Sequence, residues 1–234
     1  MVRVAGHSTG RQRDVLSQLQ ERVAKLVASL DEADGFALAG GAALVYTHVV
    51  DRATRDLDFF GPSPDDVDRL APAVEDALAA AGLKVRRERV SHGFVRLTVS
   101  DGADVTELDL AADARIRPAE VGPLGPMLSA EELGADKLLA LFDRAQARDF
   151  VDVAALVERY GLELLCQLAS EKDPGFSRAV LAEMLGSFGR FTPDDFGLPS
   201  ASYDTLARSV EQWRTQLAAS SPLVEPPDTG LELG

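Results

Sequence analysis

The chain has 234 residues and a formal net charge of -14, from 24 Lys and Arg against 38 Asp and Glu. This acidity argues against an indiscriminate nucleic-acid binder, although it leaves room for a local basic groove. The single cysteine, Cys166, excludes an internal disulfide framework and fits a reducing compartment. No apolar run is long enough to span a bilayer and no signal-peptide pattern opens the chain, so we expect a cytoplasmic protein that does not bind membranes.

The two ends and the first helix are predicted to carry no chemistry. Residues 1–10 are polar with glycine and serine, and residues 220–234 are rich in proline, glycine and acids. Both segments are predicted to be disordered tails. Residues 11–33 repeat apolar side chains at helical spacing, which predicts a helix that packs on the core.

A pair of glycines follows the first predicted strand. Residues 36–39 are apolar and end at Gly40 and Gly41, where the backbone can turn tightly and approach a ligand closely. Residues 42–50 then predict a helix, and the free N–H groups at a helix N-terminus favour a phosphate. Gly40, Gly41 and Ala42 are therefore predicted to bind phosphate.

The next strand, residues 56–60, carries two carboxylates. Successive side chains of a strand alternate, so Asp56 and Asp58 share one face while Leu57 and Phe59 share the other. Neighbouring unpaired carboxylates repel each other, and a divalent cation removes that repulsion. Hard oxygen ligands suit Mg²⁺. The strand is therefore interpreted as a metal platform beside a phosphate site.

The two motifs together, GGAAL at 40–44 and RDLDFF at 55–60, resemble the AbiEii/AbiGii and MenT toxin family of nucleotidyltransferases. In that family a Gly-Gly turn precedes an Asp-x-Asp strand within a polymerase-β-like core. The resemblance implies an α+β fold, with a mixed sheet flanked by helices and a helical C-terminal part. The family often has Ser or Thr after Gly-Gly, so Ala42 leaves phosphate contacts to backbone N–H groups.

A helix that begins near Ser63 explains the next acids in the chain. Ser63 is a good N-cap residue and Pro64 suits the first helical position. Asp65 and Asp66 complement the positive end of the helix dipole. These two acids are therefore assigned to capping and are not counted as metal ligands.

A third carboxylate is predicted on a later strand. Residues 83–88 and 94–100 predict two strands, and an Asp-Gly hairpin signal leads into a further strand at 105–110. There Glu107 and Asp109 lie on the face opposite two leucines, as the acids of the earlier strand do. Asp109 is the candidate because leucines bracket it, and the resemblance implies the same. Glu107 is the alternative.

Basic residues lie near these motifs in sequence. Arg55 directly precedes the Asp-x-Asp strand and is predicted to contact the nucleotide, with Arg52 and Arg96 also close in sequence. A second group clusters along one predicted strand: Lys84, Arg86, Arg87 and Arg89. This cluster is either part of a basic groove or a solvated sheet edge blunted by charge.

The chain is predicted to divide in its middle. Residues 115–128 contain three prolines and two glycines, which indicates a linker, and Ser129 with Glu132 fits a capping box that opens a helix. The predicted domains are a nucleotidyltransferase core at 11–125 and a helical domain at 126–219.

The helical part contains a second informative stretch, residues 134–157. In one unbroken helix, Lys137, Arg144 and Arg148 would lie within about 40° of each other. Three cations on one face repel unless they meet an anion, and a triphosphate would satisfy them. The alternative is a solvated face in which Arg148 pairs with Asp152. The family pattern of Lys, then Arg, then Arg-Asp-x-x-Asp carries over to a set of predicted nucleotide-binding residues: Lys137, Arg144, Arg148, Asp149 and Asp152.

Other chemistries fit the sequence less well. The three histidines have no metal-ligand spacing, which argues against zinc. A HAD-type phosphatase is an alternative reading of Asp56-Leu57-Asp58, but that class expects the acids directly after a long hydrophobic strand. It would also leave the Gly-Gly motif without a role.

The resemblance implies metal-assisted nucleotidyl transfer. Asp56 and Asp58 would bind Mg²⁺, with Mn²⁺ as a substitute. Asp109 would complete a second metal position and help deprotonate the attacking hydroxyl. Lys137 and Arg144 would neutralise charge on the departing pyrophosphate.

The same resemblance implies the biological role. A toxin of a toxin–antitoxin pair would transfer nucleotides, pyrimidines in this expectation, from an NTP to the tRNA 3′ acceptor end and so block translation. Its partner would be a cognate antitoxin protein, or a kinase or regulator in that role. Two alternatives remain: a nucleotidyltransferase that modifies a protein or a small molecule such as an antibiotic, and a catalytically silent binding module of the same fold.

Overall fold

The computed structural model of the chain describes residues 16–50 and 54–219. The predicted disordered tails at 1–10 and 220–234 lie outside the described residues, as does Arg52. The chain forms two compact units. The first runs to Asp113 and includes Ala119–Leu128, and the second comprises Ala114–Pro118 and the chain from Ser129 onward. The division predicted after residue 125 falls inside Ala119–Leu128.

The first unit contains three α-helices and seven strands among its described residues. In chain order these are α1 Gln18–Ala28, β1 Ala37–Ala39, α2 Gly40–Tyr46, β2 Asp56–Gly61, α3 Pro64–Ala80, β3 Lys84–Ser91, β4 Phe94–Ser100, β5 Val105–Ala112, β6 Glu120–Gly122 and β7 Gly125–Met127. A single 3₁₀ turn, Asp31–Ala33, lies between α1 and β1.

These strands form one mixed sheet in the order β3-β4-β5-β2-β1-β7-β6. Strand β2 runs parallel to β5 and antiparallel to β1, and β7 runs parallel to β1. The predicted α+β fold with a mixed sheet is confirmed. The prediction of a plain linker at 115–128 is wrong, because β6 and β7 lie within it and β7 extends the sheet beyond β1.

Helices α1 and α3 cover one face of the sheet. Each begins at a serine N-cap, Ser17 for α1 and Ser63 for α3, whose side chain accepts a backbone hydrogen bond three residues on. The strands bury alternate apolar side chains: Leu57, Phe59, Leu97, Leu108 and Leu110. Each contributes about 2 kcal/mol when buried. A register slip of one residue would bury the acids of β2 instead, so this core fixes which face they occupy.

The two edges of the sheet differ from its centre. Strand β3 is one edge, nearly all its residues are exposed, and its pairing with β4 is irregular between Arg87 and Arg89. At the other edge, β6 is three residues long. The cluster of basic residues predicted at 84–89 therefore lies on an exposed edge strand.

The second unit is helical in its described part. Its helices are α4 Ala130–Asp143, α5 Ala147–Tyr160, α6 Leu162–Lys172, α7 Arg178–Leu185, α8 Pro193–Phe196 and α9 Ser200–Ala219, with a 3₁₀ segment at Gly186–Arg190. Helix α9 buries Leu206, Val210, Trp213 and Leu217. No helix in the described ranges is long and apolar enough to cross a membrane.

One expectation for this unit fails. Residues 134–157 are not one helix, because α4 ends at Asp143 and α5 starts at Ala147. Ala145 between them has φ +45°, in the left-handed region, and Gln146 with Asp149 forms a capping box that starts α5. The helical geometry that would align Lys137, Arg144 and Arg148 is therefore absent.

Candidate active site

The residues of the two N-terminal motifs meet in the centre of the sheet. Asp58 of β2 is aligned with Ala39 of β1 on one side and with Asp109 of β5 on the other. Neighbouring strands lie about 4.8 Å apart, and aligned residues point to the same face. Asp58 therefore lies between a second carboxylate and the residue that precedes Gly40.

Gly40 is in contact with Asp58. Its φ of +58° lies in the left-handed region, and a Cβ added there would lie 1.8 Å from Oδ2 of Asp58. Only glycine fits this position, for both conformational and steric reasons. Gly40 and Gly41 are the first residues of α2, so the helix starts two residues earlier than predicted. Gly40 is part-exposed, whereas Gly41 and Ala42 are buried.

Asp56 lies two residues before Asp58 and shares its face of the sheet, because side chains alternate along β2. The buried Thr54 hydroxyl donates a 2.9 Å hydrogen bond to Oδ1 of Asp56. Thr54 is itself held through its carbonyl, which accepts a 3.2 Å bond from Nε2 of Gln20. A bond from the core helix α1 thus fixes the residue that orients this carboxylate. Arg55, between them, is exposed.

Asp109 has a different environment, because an arginine holds it. Nε and Nη2 of Arg96 donate to the two Asp109 oxygens at 2.7 and 2.6 Å. Asp109 is 7% exposed. Glu107 lies 3.7 Å from Nη1 of Arg96. The hydrogen bonds to Asp109 raise the pKa of Arg96 above its ordinary value despite partial burial, and the charges of Asp109, Glu107 and Asp58 raise it further.

The oxygen donors at Asp56 and Asp58 suit a hard divalent cation. Both are part-exposed on one face of the sheet, and the Asp58 carboxylate lies where a side chain at Gly40 would be. Within residues 16–50 and 54–219, however, no three Asp, Glu, His or Cys side chains are grouped so as to hold a metal ion. Asp56 and Asp58 therefore suit a cation bound by two carboxylates. Arg96 donates hydrogen bonds to both oxygens of Asp109, the predicted third ligand.

The predicted nucleotide-binding residues of the second unit are engaged with one another. Nζ of Lys137 lies 2.9 Å from Oδ2 of Asp152, and Asp152 is completely buried. Arg144 donates two 3.1 Å hydrogen bonds to Asp149, which is also completely buried. Arg148 is exposed. The Lys137 and Arg144 side chains thus neutralise carboxylates within their own unit.

Two contacts of the site were not predicted from the sequence. These are the hydrogen bonds from Arg96 to Asp109 and from Thr54 to Asp56. A signal for Arg96 exists in the hairpin between the strands at 94–100 and 105–110. Once Ser100 is paired with Val105, counting outward pairs Arg96 with Asp109. For Thr54 the signal is its position, since it lies two residues before Asp56 and within reach of that carboxylate.

A mixed sheet with an Asp-x-Asp strand, a third acid on the neighbouring parallel strand and a glycine pair beside them is the arrangement that the resemblance to nucleotidyltransferases implied. A family model described as "Nucleotidyl transferase AbiEii toxin, Type IV TA system" matches residues 25–228. The chain belongs to this family, as the resemblance of its two motifs predicted.

Three solved structures are similar to this chain over much of its length. JHP933 from Helicobacter pylori is 20% identical with a TM-score of 0.49, over 86% of this chain and 91% of that protein. A Helicobacter pylori protein described as a candidate nucleotidyltransferase is 18% identical with a TM-score of 0.50, over 88% and 96%. The Megavirus polyadenylate synthase is 16% identical with a TM-score of 0.44, over 61% and 32%. The search of curated proteins gave no significant match.

The family membership sets the general activity. The chain is a nucleotidyltransferase and the toxin of a type IV toxin–antitoxin system. A nucleotide is therefore its substrate, and an antitoxin is the other member of its system.

Proposed function

We propose that the protein transfers a nucleoside monophosphate, from a pyrimidine NTP, to the 3′ acceptor end of tRNA and so blocks translation. The observation that carries this proposal is the alignment of Asp58 with Asp109 on the sheet face that also bears Asp56. Three acids from two neighbouring strands suit phosphoryl chemistry in a nucleotidyltransferase.

The bonding changes in the proposed reaction are simple. The oxygen of the terminal ribose hydroxyl attacks the α-phosphorus of the NTP, a new phosphodiester forms, and pyrophosphate leaves. Mg²⁺, or Mn²⁺ in its place, is proposed to be held by Asp56 and Asp58, with Asp109 as the third acid. When bound, the metal neutralises phosphate charge and makes the acceptor hydroxyl more acidic.

The residues of this chain have separate tasks in the proposal. Asp56 and Asp58 bind and orient, and the hydrogen bond from Thr54 fixes one oxygen of Asp56. Gly40 leaves room for the carboxylate of Asp58, because a Cβ at residue 40 would lie 1.8 Å from Oδ2 of Asp58. Arg55, exposed at the start of β2, is proposed to contact the triphosphate.

The residues of the second unit have a less direct part. The family resemblance assigns Lys137, Arg144, Arg148, Asp149 and Asp152 to the nucleotide, and Lys137 to catalysis. Their contacts within the second unit support a structural task for Lys137, Arg144, Asp149 and Asp152 in the first place, since their two ion pairs neutralise buried carboxylates. Variants that separate stability from transfer, described in the Discussion, test the catalytic assignment.

The test is incorporation of label from each of the four α-³²P NTPs, with Mg²⁺ and total RNA, by the wild type and Asp58→Ala. We expect label in the tRNA size range, from CTP or UTP, for the wild type alone. Periodate treatment of the RNA, which destroys the terminal diol, should abolish incorporation. Label in protein or in a small molecule would show that tRNA is not the acceptor. Unchanged incorporation by Asp58→Ala would show that these carboxylates are not the active site.

A further inference from the structure

Arg96 and Asp109 form a close charged contact on the carboxylate face. The guanidinium engages Asp109 through two nitrogens and both oxygens, at 2.7 and 2.6 Å. Such a bidentate pair is stronger than a single hydrogen bond and fixes the orientation of both groups. It leaves neither Asp109 oxygen without a donor.

The register makes this contact part of one row across the sheet. Arg89, Arg96, Asp109 and Asp58 are aligned on β3, β4, β5 and β2. The row therefore changes from positive to negative between Arg96 and Asp109. Arg96 is the cation next to the acids, and Arg89 is one strand further away.

The burial of Asp109 explains why it needs a cation when no ligand is bound. A carboxylate at 7% exposure beside the acid of the next strand is costly unless it is paired. The Arg96 side chain, 40% exposed, supplies the positive charge from within the chain.

The surroundings of Arg96 also offer the side chain a second position. Oε2 of Glu107 lies 3.7 Å from Nη1, and the Glu107 side chain is 52% exposed. Glu107 precedes Asp109 by two residues on β5, so both acids share a face. Rotation of the guanidinium toward Glu107 would release Asp109 and still leave the arginine paired.

We propose that Arg96 is an internal counter-ion that competes with a divalent cation for Asp109. In the free protein Arg96 holds the third carboxylate, so Asp109 becomes a metal ligand only when Arg96 is displaced toward Glu107. Arg96 is thus a positioning residue that weakens metal binding in the absence of substrate. This inference rests on the proposed function, which places the cation at Asp56 and Asp58.

The test is the dissociation constant for Mn²⁺, measured by electron paramagnetic resonance with the full-length protein and no nucleotide. Removing one nearby positive charge from a carboxylate site changes its affinity for a cation by about tenfold. We expect Arg96→Gln to bind Mn²⁺ about tenfold more tightly than the wild type. Arg89→Gln, which removes the same charge one strand away, should bind as the wild type does.

A double variant assigns the gain to its carboxylate. Arg96→Gln with Asp109→Asn should return the dissociation constant to about the wild-type value, because the extra ligand is lost. The inference is overturned if Arg96→Gln binds Mn²⁺ no more tightly than the wild type, if Arg89→Gln gains equally, or if the double variant keeps the gain.

Two further variants separate the possible failures. Arg96→Lys keeps the charge but loses the bidentate contact with Asp109. We expect it to bind Mn²⁺ more tightly than the wild type, although by less than Arg96→Gln. It is the variant to measure if Arg96→Gln folds poorly. No gain from Arg96→Lys would then overturn the inference. Asp58→Asn should abolish Mn²⁺ binding in the wild-type background. If Asp58→Asn still binds Mn²⁺, the proposed metal position is wrong. If Asp58→Asn loses Mn²⁺ binding but Arg96→Gln binds no more tightly than the wild type, only the proposed role of Arg96 is wrong.

Discussion

The two acids of the Asp-x-Asp strand in the first unit differ from two acids of the second unit in their surroundings. In the first unit Asp56 and Asp58 are part-exposed on a sheet face. In the second unit Asp149 and Asp152 are completely buried, and each has a cation within 3.1 Å. Solvent or a ligand can reach a part-exposed carboxylate, whereas a buried carboxylate must be neutralised by the protein. Substitution of Asp56 or Asp58 should therefore lower the rate of nucleotidyl transfer, whereas disruption of the Asp149 or Asp152 ion pair should lower the stability of the fold.

The largest expected effect is on chemistry in the first unit. Asp58→Asn should lower the rate of nucleotidyl transfer by about 10³-fold, equivalent to about 4 kcal/mol of transition-state stabilisation. The fold should be retained, because Asp58 lies on the face away from the apolar core. Single-turnover transfer assays and urea unfolding of the same samples measure the two quantities. Asp65→Asn, an exposed acid at the start of α3, serves as the matched charge control and should transfer normally.

The next effect is on stability in the second unit. Lys137→Met leaves the buried Asp152 without its cation and should lower the free energy of unfolding by about 3 kcal/mol. Urea denaturation monitored by circular dichroism measures this. Adding Asp152→Asn should recover most of the loss, because the buried charge is then gone. Transfer activity that returns with stability in the double variant would contradict the predicted catalytic role of Lys137.

A smaller effect should follow from disturbing the acid without removing it. Gly40→Ala places a Cβ against Asp58, and a displacement of about 1 Å should reduce transfer by about tenfold to a hundredfold. Gly82→Ala is the matched control, since Gly82 has φ +80° but nothing within 4 Å of an added Cβ. Both variants should lose about 1 kcal/mol of stability from backbone strain. Equal transfer rates would show that the collision with Asp58 is unimportant.

The smallest effect concerns an exposed pair in the first unit, Asp68 with Nδ1 of His92 at 2.9 Å. The hydrogen bond to Asp68 raises the pKa of His92 above its ordinary value of 6.5. The pair therefore stabilises the fold fully below that ordinary value, and the contribution disappears as the pH rises through the raised pKa. An NMR titration of His92 should show a lower pKa in Asp68→Asn than in the wild type. An unchanged pKa would rule out the contact.

Much of the first unit could be predicted from alternation and capping. The period of two in β2 and β5 placed Asp56, Asp58 and Asp109 on one face, because leucines and phenylalanine had to be buried on the other. The Ser63 cap was readable because its partners lie three residues away. These features depend on neighbours in sequence or on simple burial.

The predictions that failed depend on contacts between distant residues. Helical periodicity continues through 134–157, so the break at Arg144–Gln146 could not be inferred from spacing. It depends on a capping box and on a left-handed alanine. Strands β6 and β7 lie among prolines and glycines, and β7 is stabilised by pairing with β1, about 90 residues away. Propensity alone cannot report such pairing.

The edges of the sheet have a consequence for how other chains can approach it. Strand β3 is charged, exposed and irregularly paired, and β6 at the far side is three residues long. Neither offers a long flat template for backbone pairing, which protects the protein from joining copies of itself into larger aggregates. Any macromolecule that recognises this unit must therefore rely mainly on side-chain complementarity rather than on lengthening the sheet.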